Sequence, residues 1–302
     1  MNMKFPIRKR VITAIAASVL IISACGGGGS ESADTTAPEQ SLKIVSLSPT
    51  ATEMLYAIGA GDQVVAVDSL STFPAEVAPK VTKISAYEPS AEAILAYEPD
   101  VVLISNDMNK ITEQLTGANP EIEVWTGAAA ASLDDVYKQI NELGELTGHT
   151  SEAEELVTSM KTRIDAAVPD EMPLVAFPVY YELDNTFYSV TSNTFVGALL
   201  KQFGLNSIAD GAEEGNDYPQ LSAEAIVKAD PDIIFLADTK CCQQTAATVA
   251  ARAGWSGIQA VAADNVVELD DDVASRWGPR VVDLIEQFGK AFSDMLAKNA
   301  KK

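Results

Sequence analysis

The sequence predicts an α/β protein with two parallel-sheet lobes joined by a single long, rigid helix. One stretch occurs twice, as SAEAILAYEPDVVLIS at residues 90–105 and as SAEAIVKADPDIIFLA at residues 222–237. Each copy has a short helical segment followed by an apolar run, which is typical of a strand covered on both faces. A helical pattern over residues 149–169 separates the copies. A duplicated helix–strand unit and a helical connector therefore indicate two related lobes.

The N-terminal lobe is predicted over residues 42–148. A strand-like run at 42–47 is stopped by Ser48-Pro49. The next four residues, Thr50-Ala51-Thr52-Glu53, have the spacing of a capping box and predict a helix that ends at Gly59. A second short strand is predicted at 63–67.

The two repeat copies are expected to share their local structure. Ser90 and Ser222 occupy the N-cap position of a helix in each copy, and a Pro-Asp pair ends both helices. The predicted elements are helices at 91–97 and 223–229 and strands at 101–104 and 233–236.

The connector lies in a longer helical region at 132–168, which is interrupted at Gly148-His149. Residues 149–169, after the break, are predicted to form the connecting helix, and a helix absorbs less bending than a loop hinge. The C-terminal lobe then covers residues 170–302. Its last helix is predicted to begin at Pro279, because proline suits the first helical position.

The first 25 residues read as a targeting segment. A basic start precedes the apolar run Val11–Ile22, which is too short for an ordinary membrane span. Ile22-Ser23-Ala24-Cys25 resembles a bacterial lipobox, so we expect cleavage before Cys25 and lipidation of its thiol. A plain signal peptide with a chance cysteine is the alternative. Residues 26–41 are rich in Gly, Ser, Thr, Pro and acidic residues and predict a flexible tether.

These features predict an extracytoplasmic, membrane-anchored lipoprotein. The chain of 302 residues is long enough for one large or two modest domains, and its formal net charge is −22. Such an acidic protein repels phosphate backbones, so nucleic acid is not an expected partner.

Four motifs resemble the substrate-binding proteins of bacterial ABC importers for metal chelates and cobalamin. They are Ile44–Ile58, Glu92–Leu103, Tyr218–Leu236 and Trp255–Leu269, in the family's order. The resemblance implies a ligand cleft between the lobes and a permease dimer with its ATPase as partner. It also implies that the cargo is a small-molecule metal chelate or corrinoid, namely cobalamin, heme or a ferric siderophore, and that the protein has neither a catalytic role nor a cofactor of its own.

Aromatic and basic residues near the ends of the predicted strands are the ligand-binding candidates. Tyr87 and Tyr218 each precede one repeat copy, and paired aromatic rings suit a flat, apolar ligand. We expect them to face each other across the cleft, although both could pack on their own loops instead. The other candidates are Arg276, Trp277 and Arg280, with Tyr181 (and its neighbours Tyr180 and Phe187) as weaker ones. The arginines could bind carboxylate or catecholate oxygens, or Asp270–Asp272 could neutralise them.

Cys241 and Cys242 follow a predicted strand on the cleft side. Adjacent cysteines give either a strained vicinal disulfide or a pair of soft donors to a metal centre, and we favour the disulfide. The chain has one histidine, His149. A bare transition-metal site usually needs several His or Cys ligands, so no such site is expected.

Glu92 and Glu224 occupy matching places in the two repeat copies. A carboxylate in the first helical turn is favoured by the helix dipole, which is the structural interpretation. The resemblance implies instead that each docks against basic residues of one permease subunit. Two other functions stay open: a carboxylate-dependent hydrolase, although the sequence has no G-x-S-x-G motif, and a surface scaffold or adhesion lipoprotein without transport.

Overall fold

The computed structural model describes residues 41–169 and 174–300. The predicted signal peptide, the lipidation site Cys25 and the tether up to residue 40 lie outside these residues. Within the described part, no helix combines the length and the apolar character that crossing a bilayer requires.

The first lobe is a parallel four-stranded sheet with the order β2-β1-β3-β4. Its strands are β1 (Ile44–Leu47), β2 (Val64–Val67), β3 (Val101–Ile104) and β4 (Glu123–Thr126). Its helices are α1 (Pro49–Ala57), α2 (Ala91–Leu95), α3 (Ile111–Ala118) and α4 (Leu133–Thr147). All residues of the two central strands, β1 and β3, are buried, as a sheet covered on both faces requires.

The connecting helix α5 (Thr150–Ala167) leads into the second lobe. That lobe repeats the first topology, with the strand order β6-β5-β7-β8 and parallel pairing throughout. Its strands are β5 (Phe177–Glu182), β6 (Leu205–Ser207), β7 (Ile233–Leu236) and β8 (Val266–Glu268). Its helices are α6 (Phe195–Lys201), α7 (Ala223–Ala229), α8 (Ala246–Ala250), α9 (Gln259–Ala262), α10 (Asp271–Ser275) and α11 (Val281–Asn299). Short 3₁₀ helices lie at Ala60–Gln63, Ala75–Lys80, Met108–Lys110 and Trp255–Gly257.

The structure confirms the predicted fold class and explains the sequence repeat. The copies form α2–β3 in one sheet and α7–β7 in the other, at equivalent positions of the same strand order. Ser90 and Ser222 are both N-caps, since their hydroxyls accept hydrogen bonds from the amides of Ala93 (3.3 Å) and Ala225 (3.1 Å). The repeat therefore marks two lobes built on one plan.

The predicted capping box at Thr50–Glu53 is wrong. Ser48 is the N-cap of α1, and its hydroxyl accepts a hydrogen bond from the amide of Ala51 (3.2 Å), with Pro49 as the first helical residue. Glu53 lies further along the helix and is buried. The last helix, α11, begins at Val281 and not at Pro279 as predicted.

The connecting helix is held along its length by neighbouring helices. It packs on α4 from the first lobe and on α11 from the second. Arg163 joins it to α11, with its guanidinium donating to Glu286 (2.8 and 2.9 Å) and Asp283 (2.7 Å). One apolar cluster extends from the first sheet through these three helices into the second lobe. The predicted domain boundaries at residues 148 and 169 remain predictions within this continuous core.

Candidate ligand cleft

Two cavities meet where the lobes join. The first has a volume of about 450 Å³ and is lined mainly by the first lobe. The second has a volume of about 400 Å³ and is lined mainly by the second lobe. Both are bordered by Ser275, Arg276 and Trp277. Since Leu47 and Ile104 end strands β1 and β3, the first cavity lies at the carboxyl edge of its sheet, where open α/β sheets bind ligands.

The first cavity has a polar floor. Ser105, Asn106, Thr50 and Asp68 line it, beside the apolar Leu70. Two hydroxyl pairs lie close by in the structure: Ser105 donates to Ser48 (2.9 Å), and Thr52 donates to Ser46 (2.9 Å).

Asp68 is the most unusual group in this cavity. Its side chain is fully buried, and Oδ1 accepts hydrogen bonds from the amides of Leu70 (3.2 Å) and Ser71 (2.8 Å). Its Oδ2 has no hydrogen-bond partner within the described residues. Burial raises the pKa of this carboxyl, against the hydrogen bonds from Ser71 that lower it. The Oδ2 atom is itself buried, so it is not available to a ligand in this conformation.

The second cavity is mostly apolar. Its walls include Leu183, Val190, Phe195, Val196, Ala237 and Leu284. Tyr218 and Cys241 also line this cavity. The cleft thus offers a polar compartment and an apolar compartment on either side of Trp277, which suits an amphipathic ligand.

Tyr87 and Tyr218 are largely exposed, at 66% and 54%, and they line different compartments. The structure brings each to the cleft, with Trp277 bordering both cavities between them. The indole Nε1 of Trp277 donates to Oε1 of Gln139 in the first lobe (3.3 Å). That the two tyrosines contact a ligand together stays a prediction.

The two candidate arginines are held by Glu53, which the sequence pattern assigned to a capping box and not to the site. Nη1 of Arg276 donates to Oε1 of Glu53 (2.8 Å), and Arg280 donates to both oxygens of the same carboxylate (2.5 and 2.9 Å). Arg276 also donates to Asp272 (2.7 Å) and to the carbonyl of Leu70 (3.2 Å). The Glu53 side chain is only 2% exposed. Both guanidinium groups are therefore already paired with carboxylates of the protein.

Arg280 does not match its predicted role. It lines neither cavity, and its guanidinium carbon lies 4.0 Å from the centroid of the Phe73 ring. Of the three aspartates expected to neutralise the arginines, only Asp272 pairs with Arg276. Asp270 pairs with Lys240 instead (2.7 Å). The neutralising group comes mainly from α1 of the other lobe, 223 residues before Arg276 in the chain.

Tyr181 is a second correction. Its ring is fully buried between Phe235 and Phe288, and its hydroxyl donates to the carbonyl of Ala274 (3.1 Å). A strand covered on both faces buries its aromatic residues, so Tyr181 belongs to the core, as does Tyr180.

Glu182 and Asp238 are buried carboxyl groups adjacent in sequence to Leu183 and Ala237, which line the second cavity. Glu182 is bound by both terminal nitrogens of Arg252 (2.5 and 2.6 Å), whose guanidinium also stacks on Trp255 at 4.5 Å. Asp238 is fully buried, and neither of its oxygens has a partner in the described part of the chain. Burial, and then the negative charge of Glu182, raise the pKa of Asp238 to about 7.

The cysteine pair and the repeated glutamates are both accessible. Cys241 and Cys242 are free thiols with their Sγ atoms 2.7 Å apart, so the predicted disulfide remains a prediction. Glu92 and Glu224 are exposed in the first turns of α2 and α7, one in each lobe. Neither carboxylate has a hydrogen-bond or ion-pair partner among the residues that the structure describes.

Comparison with known proteins identifies the family to which this architecture belongs. The periplasmic binding protein family matches residues 44–273. The uncharacterized ABC transporter substrate-binding lipoprotein YvrC of Bacillus subtilis is 33% identical over 269 residues, which are 85% of this chain and 82% of the relative. A cobalamin-binding protein of Halobacterium salinarum is 32% identical over 259 residues, covering 83% of this chain and 69% of the relative.

The solved structures agree on the fold. The periplasmic heme-binding protein RhuT from Roseiflexus sp. RS-1 superposes with a TM-score of 0.71 at 24% identity, over 84% of this chain and 99% of the other. The resemblance inferred from the four sequence motifs is confirmed, and the chain belongs to the periplasmic binding protein family.

Proposed function

We propose that this periplasmic binding protein captures a corrinoid of the cobalamin type and delivers it to an ABC importer. The observation that carries the choice of cargo is the pairing of Glu53 with Arg276 and Arg280. Glu53 and Asp272 together balance the two guanidinium charges, so the lining of the two cavities presents no uncompensated cation.

Charge separates heme and anionic ferric siderophores from a corrinoid. Heme carries two propionates, and ferric catecholates are anionic, so both need positive groups that are free to bind oxygen atoms. A cleft whose arginines are already paired disfavours such anions, because the ligand would have to compete with Glu53. Cyanocobalamin is electrically neutral overall, and its rim consists of amides. Its binding therefore does not require a free cationic side chain.

The two compartments also fit a corrinoid. The amide rim can exchange hydrogen bonds with Asn106 and Ser105 in the first cavity. Tyr87, Tyr218 and Trp277 offer aromatic faces to the apolar surfaces of the ligand. The cobalamin-binding relative from Halobacterium salinarum supports the same cargo.

A binding panel tests this proposal. Purified protein is titrated separately with cyanocobalamin, heme and a ferric catecholate, and binding is followed by calorimetry and by the absorption of each ligand. We expect a one-to-one complex with cyanocobalamin and much weaker binding of the two anions. Tight binding of heme or of the catecholate, with none of cyanocobalamin, would contradict the proposal.

Variants of the two tyrosines locate the ligand. Tyr87→Ala and Tyr218→Ala should each weaken cyanocobalamin binding by roughly 1–3 kcal/mol, the range for a buried aromatic contact. Tyr97→Ala is the matched control, since Tyr97 is also exposed but lines neither cavity. If the double variant binds like the control, the tyrosines are outside the site.

We also propose that Glu92 and Glu224 dock the two lobes on the two permease subunits. Both are exposed, both lack a partner within the described residues, and each stands at the same place of its lobe. Glu92→Arg with Glu224→Arg should abolish ligand-stimulated ATPase activity of the reconstituted importer and leave cyanocobalamin affinity unchanged. Glu154→Arg with Glu155→Arg makes the same charge change on the exposed face of α5 and should stay active. Equal activity of the two double variants would refute docking.

Anchoring completes the proposal. We propose that Cys25 becomes the lipidated N-terminus of the mature protein, on the strength of the lipobox-like sequence before it. Cys25→Ala should then move the protein from the membrane fraction to the soluble fraction. An unchanged membrane fraction and an unprocessed chain in both forms would contradict this.

A further inference from the structure

We propose that Cys241 and Cys242 are a reversible redox pair, which a small-molecule disulfide closes into an intramolecular disulfide in the wall of the second cavity. The function proposed above makes no use of these thiols.

The turn after β7 places both sulfur atoms on one side of the chain. Their Sγ atoms are 2.7 Å apart, although side chains of adjacent residues in an extended chain point in opposite directions. Cys241 is exposed and lines the second cavity, and Cys242 is half-buried behind it. A reagent that enters the cleft can therefore reach the pair.

The turn is fixed from outside the pair. One carboxylate, that of Asp271, accepts hydrogen bonds from the amides of Cys241 (2.8 Å) and Lys240 (3.0 Å) and from the hydroxyl of Thr239 (2.9 Å). The amide of Cys242 donates to the carbonyl of Asp238 (3.2 Å). Because these bonds already hold the two thiols together, closing the disulfide costs little further conformational entropy.

The chemistry is a two-step thiol–disulfide exchange. One protein thiol loses its proton, and its sulfur attacks a sulfur of the small disulfide, which releases the first small thiol and forms a mixed disulfide. The second protein thiol then loses its proton and attacks the protein sulfur of that mixed disulfide, which releases the second small thiol. In sum, the two cysteines lose two hydrogens and are oxidised, and the small disulfide is reduced to two thiols.

Adjacency makes the closed form easy to reopen. Neighbouring Cα atoms are about 3.8 Å apart, whereas disulfides prefer about 4.4–6.8 Å. A bond made outside that range is more easily reduced. Partial desolvation in the turn, then the contact to Cys242 and the charge of Asp271, raise the pKa of Cys241 to about 12, so attack by this thiol should be slow at neutral pH.

The test uses the full chain and glutathione disulfide at alkaline pH. After incubation, remaining thiols are blocked with N-ethylmaleimide and the protein is digested with trypsin. Cleavage after Lys240 and Arg252 gives one peptide, residues 241–252, that contains both cysteines and excludes Cys25. We expect this peptide to be two hydrogens lighter than the dithiol form, with neither glutathione nor maleimide attached. Mild treatment with dithiothreitol should restore two maleimide-reactive thiols.

The single variants Cys241→Ser and Cys242→Ser are the controls. Each should stop at the mixed disulfide with glutathione, because the second thiol is missing. A wild-type peptide that carries two maleimides, a lasting glutathione adduct or a link to a second chain would overturn the proposal. A closed form that dithiothreitol does not reopen would overturn its reversibility.

Discussion

At the scale of single residues, Glu53 decides the electrostatics of the cleft. It is a carboxylate from one lobe that is bound by two guanidinium groups from the other, and its side chain is 2% exposed, against 13% for Arg276 and 18% for Arg280. Removing one member of a buried ion pair leaves the other charge without compensation, which costs more than the pair gains by forming.

Glu53→Gln should therefore destabilise the fold and change the choice of ligand. We expect a loss of about 3 kcal/mol in the free energy of unfolding, measured by urea denaturation, because two arginines keep their burial and lose their counter-charge. The same variant should bind heme more tightly than the wild type does, since Arg276, which borders both cavities, loses one of its two carboxylate partners and can bind a propionate.

Arg163→Ala is the matched control for that loss. Arg163 also binds two carboxylates, but its side chain is 45% exposed, and exposed pairs contribute about 0–1 kcal/mol. If Glu53→Gln costs no more than Arg163→Ala, the Glu53 cluster does not stabilise the joint between the lobes.

The raised pKa of Asp238 predicts that the stability of the fold depends on pH. Its pKa is raised from 3.8 to about 7 in the folded chain, so the folded state binds more protons than the unfolded state between these values. The free energy of unfolding should consequently fall as the pH rises from about 4 to about 7, by at most about 1.4 kcal/mol for each unit of the pKa shift.

Asp238→Asn should remove this contribution, because an amide is neutral at every pH. Urea denaturation of both proteins at several pH values gives the difference in stability at each. We expect the variant to gain relative to the wild type as the pH rises from about 4 to about 7 and to hold that gain above it. A difference that stays constant across this range would show that Asp238 ionises normally.

At the scale of elements, the close crossing of α4 and α5 positions the connector. Gly144 of α4 permits this crossing, since a Cβ atom there would lie 2.5 Å from the Cβ of Ala153 in α5. Gly144→Ala should force the helices apart and cost about 1–3 kcal/mol in the free energy of unfolding, as overpacking generally does.

Gly117→Ala provides the comparison for Gly144→Ala. Gly117 lies in helix α3, and a Cβ atom there would meet nothing within 4 Å. Alanine should be neutral or stabilising by up to about 1 kcal/mol, because it favours the helix more than glycine does. Gly144→Ala should thus lower stability, whereas Gly117→Ala should not. Similar effects of both would mean that the crossing of α4 and α5 can relax.

The elements themselves were predictable because their signals are local. Ser90 and Ser222 cap helices that begin one residue later, and the apolar runs after them coincide with β3 and β7. A local pattern can also mislead. Thr50–Glu53 matches the capping-box spacing, but the true cap is Ser48, which lies two residues before the motif.

The site was less predictable because its interactions are distant in sequence. Glu53 meets Arg276 and Arg280 across more than 220 residues, and no spacing rule links them. The burial of Tyr181 depends on which strands flank β5 and on the helix packed over it. The free oxygen of Asp68 depends on the turn at Leu70 and Ser71. Exposure of Tyr87 and Tyr218 could be expected, since each lies in a turn before a helix.

At the scale of the whole molecule, three sets of contacts among the described residues hold the lobes together. The connecting helix α5 packs against α4 and α11. Glu53 binds Arg276 and Arg280 across the joint. Trp277 of the second lobe donates to Gln139 of the first. A helix and two sets of side-chain contacts resist the hinge motion that a loop connection would allow.

The protein should therefore close very little when it binds its ligand. Small-angle X-ray scattering curves of the wild type with and without cyanocobalamin should nearly superimpose, because closure would have to break the Glu53 and Trp277 contacts or bend α5. The Tyr87→Ala, Tyr218→Ala double variant with the same cyanocobalamin concentration corrects for scattering by free ligand. A larger fall in the radius of gyration for the wild type than for that control would show that the lobes rotate towards each other. The Glu53 and Trp277 contacts would then belong to an open conformation only, and they would not hold the lobes in one fixed arrangement.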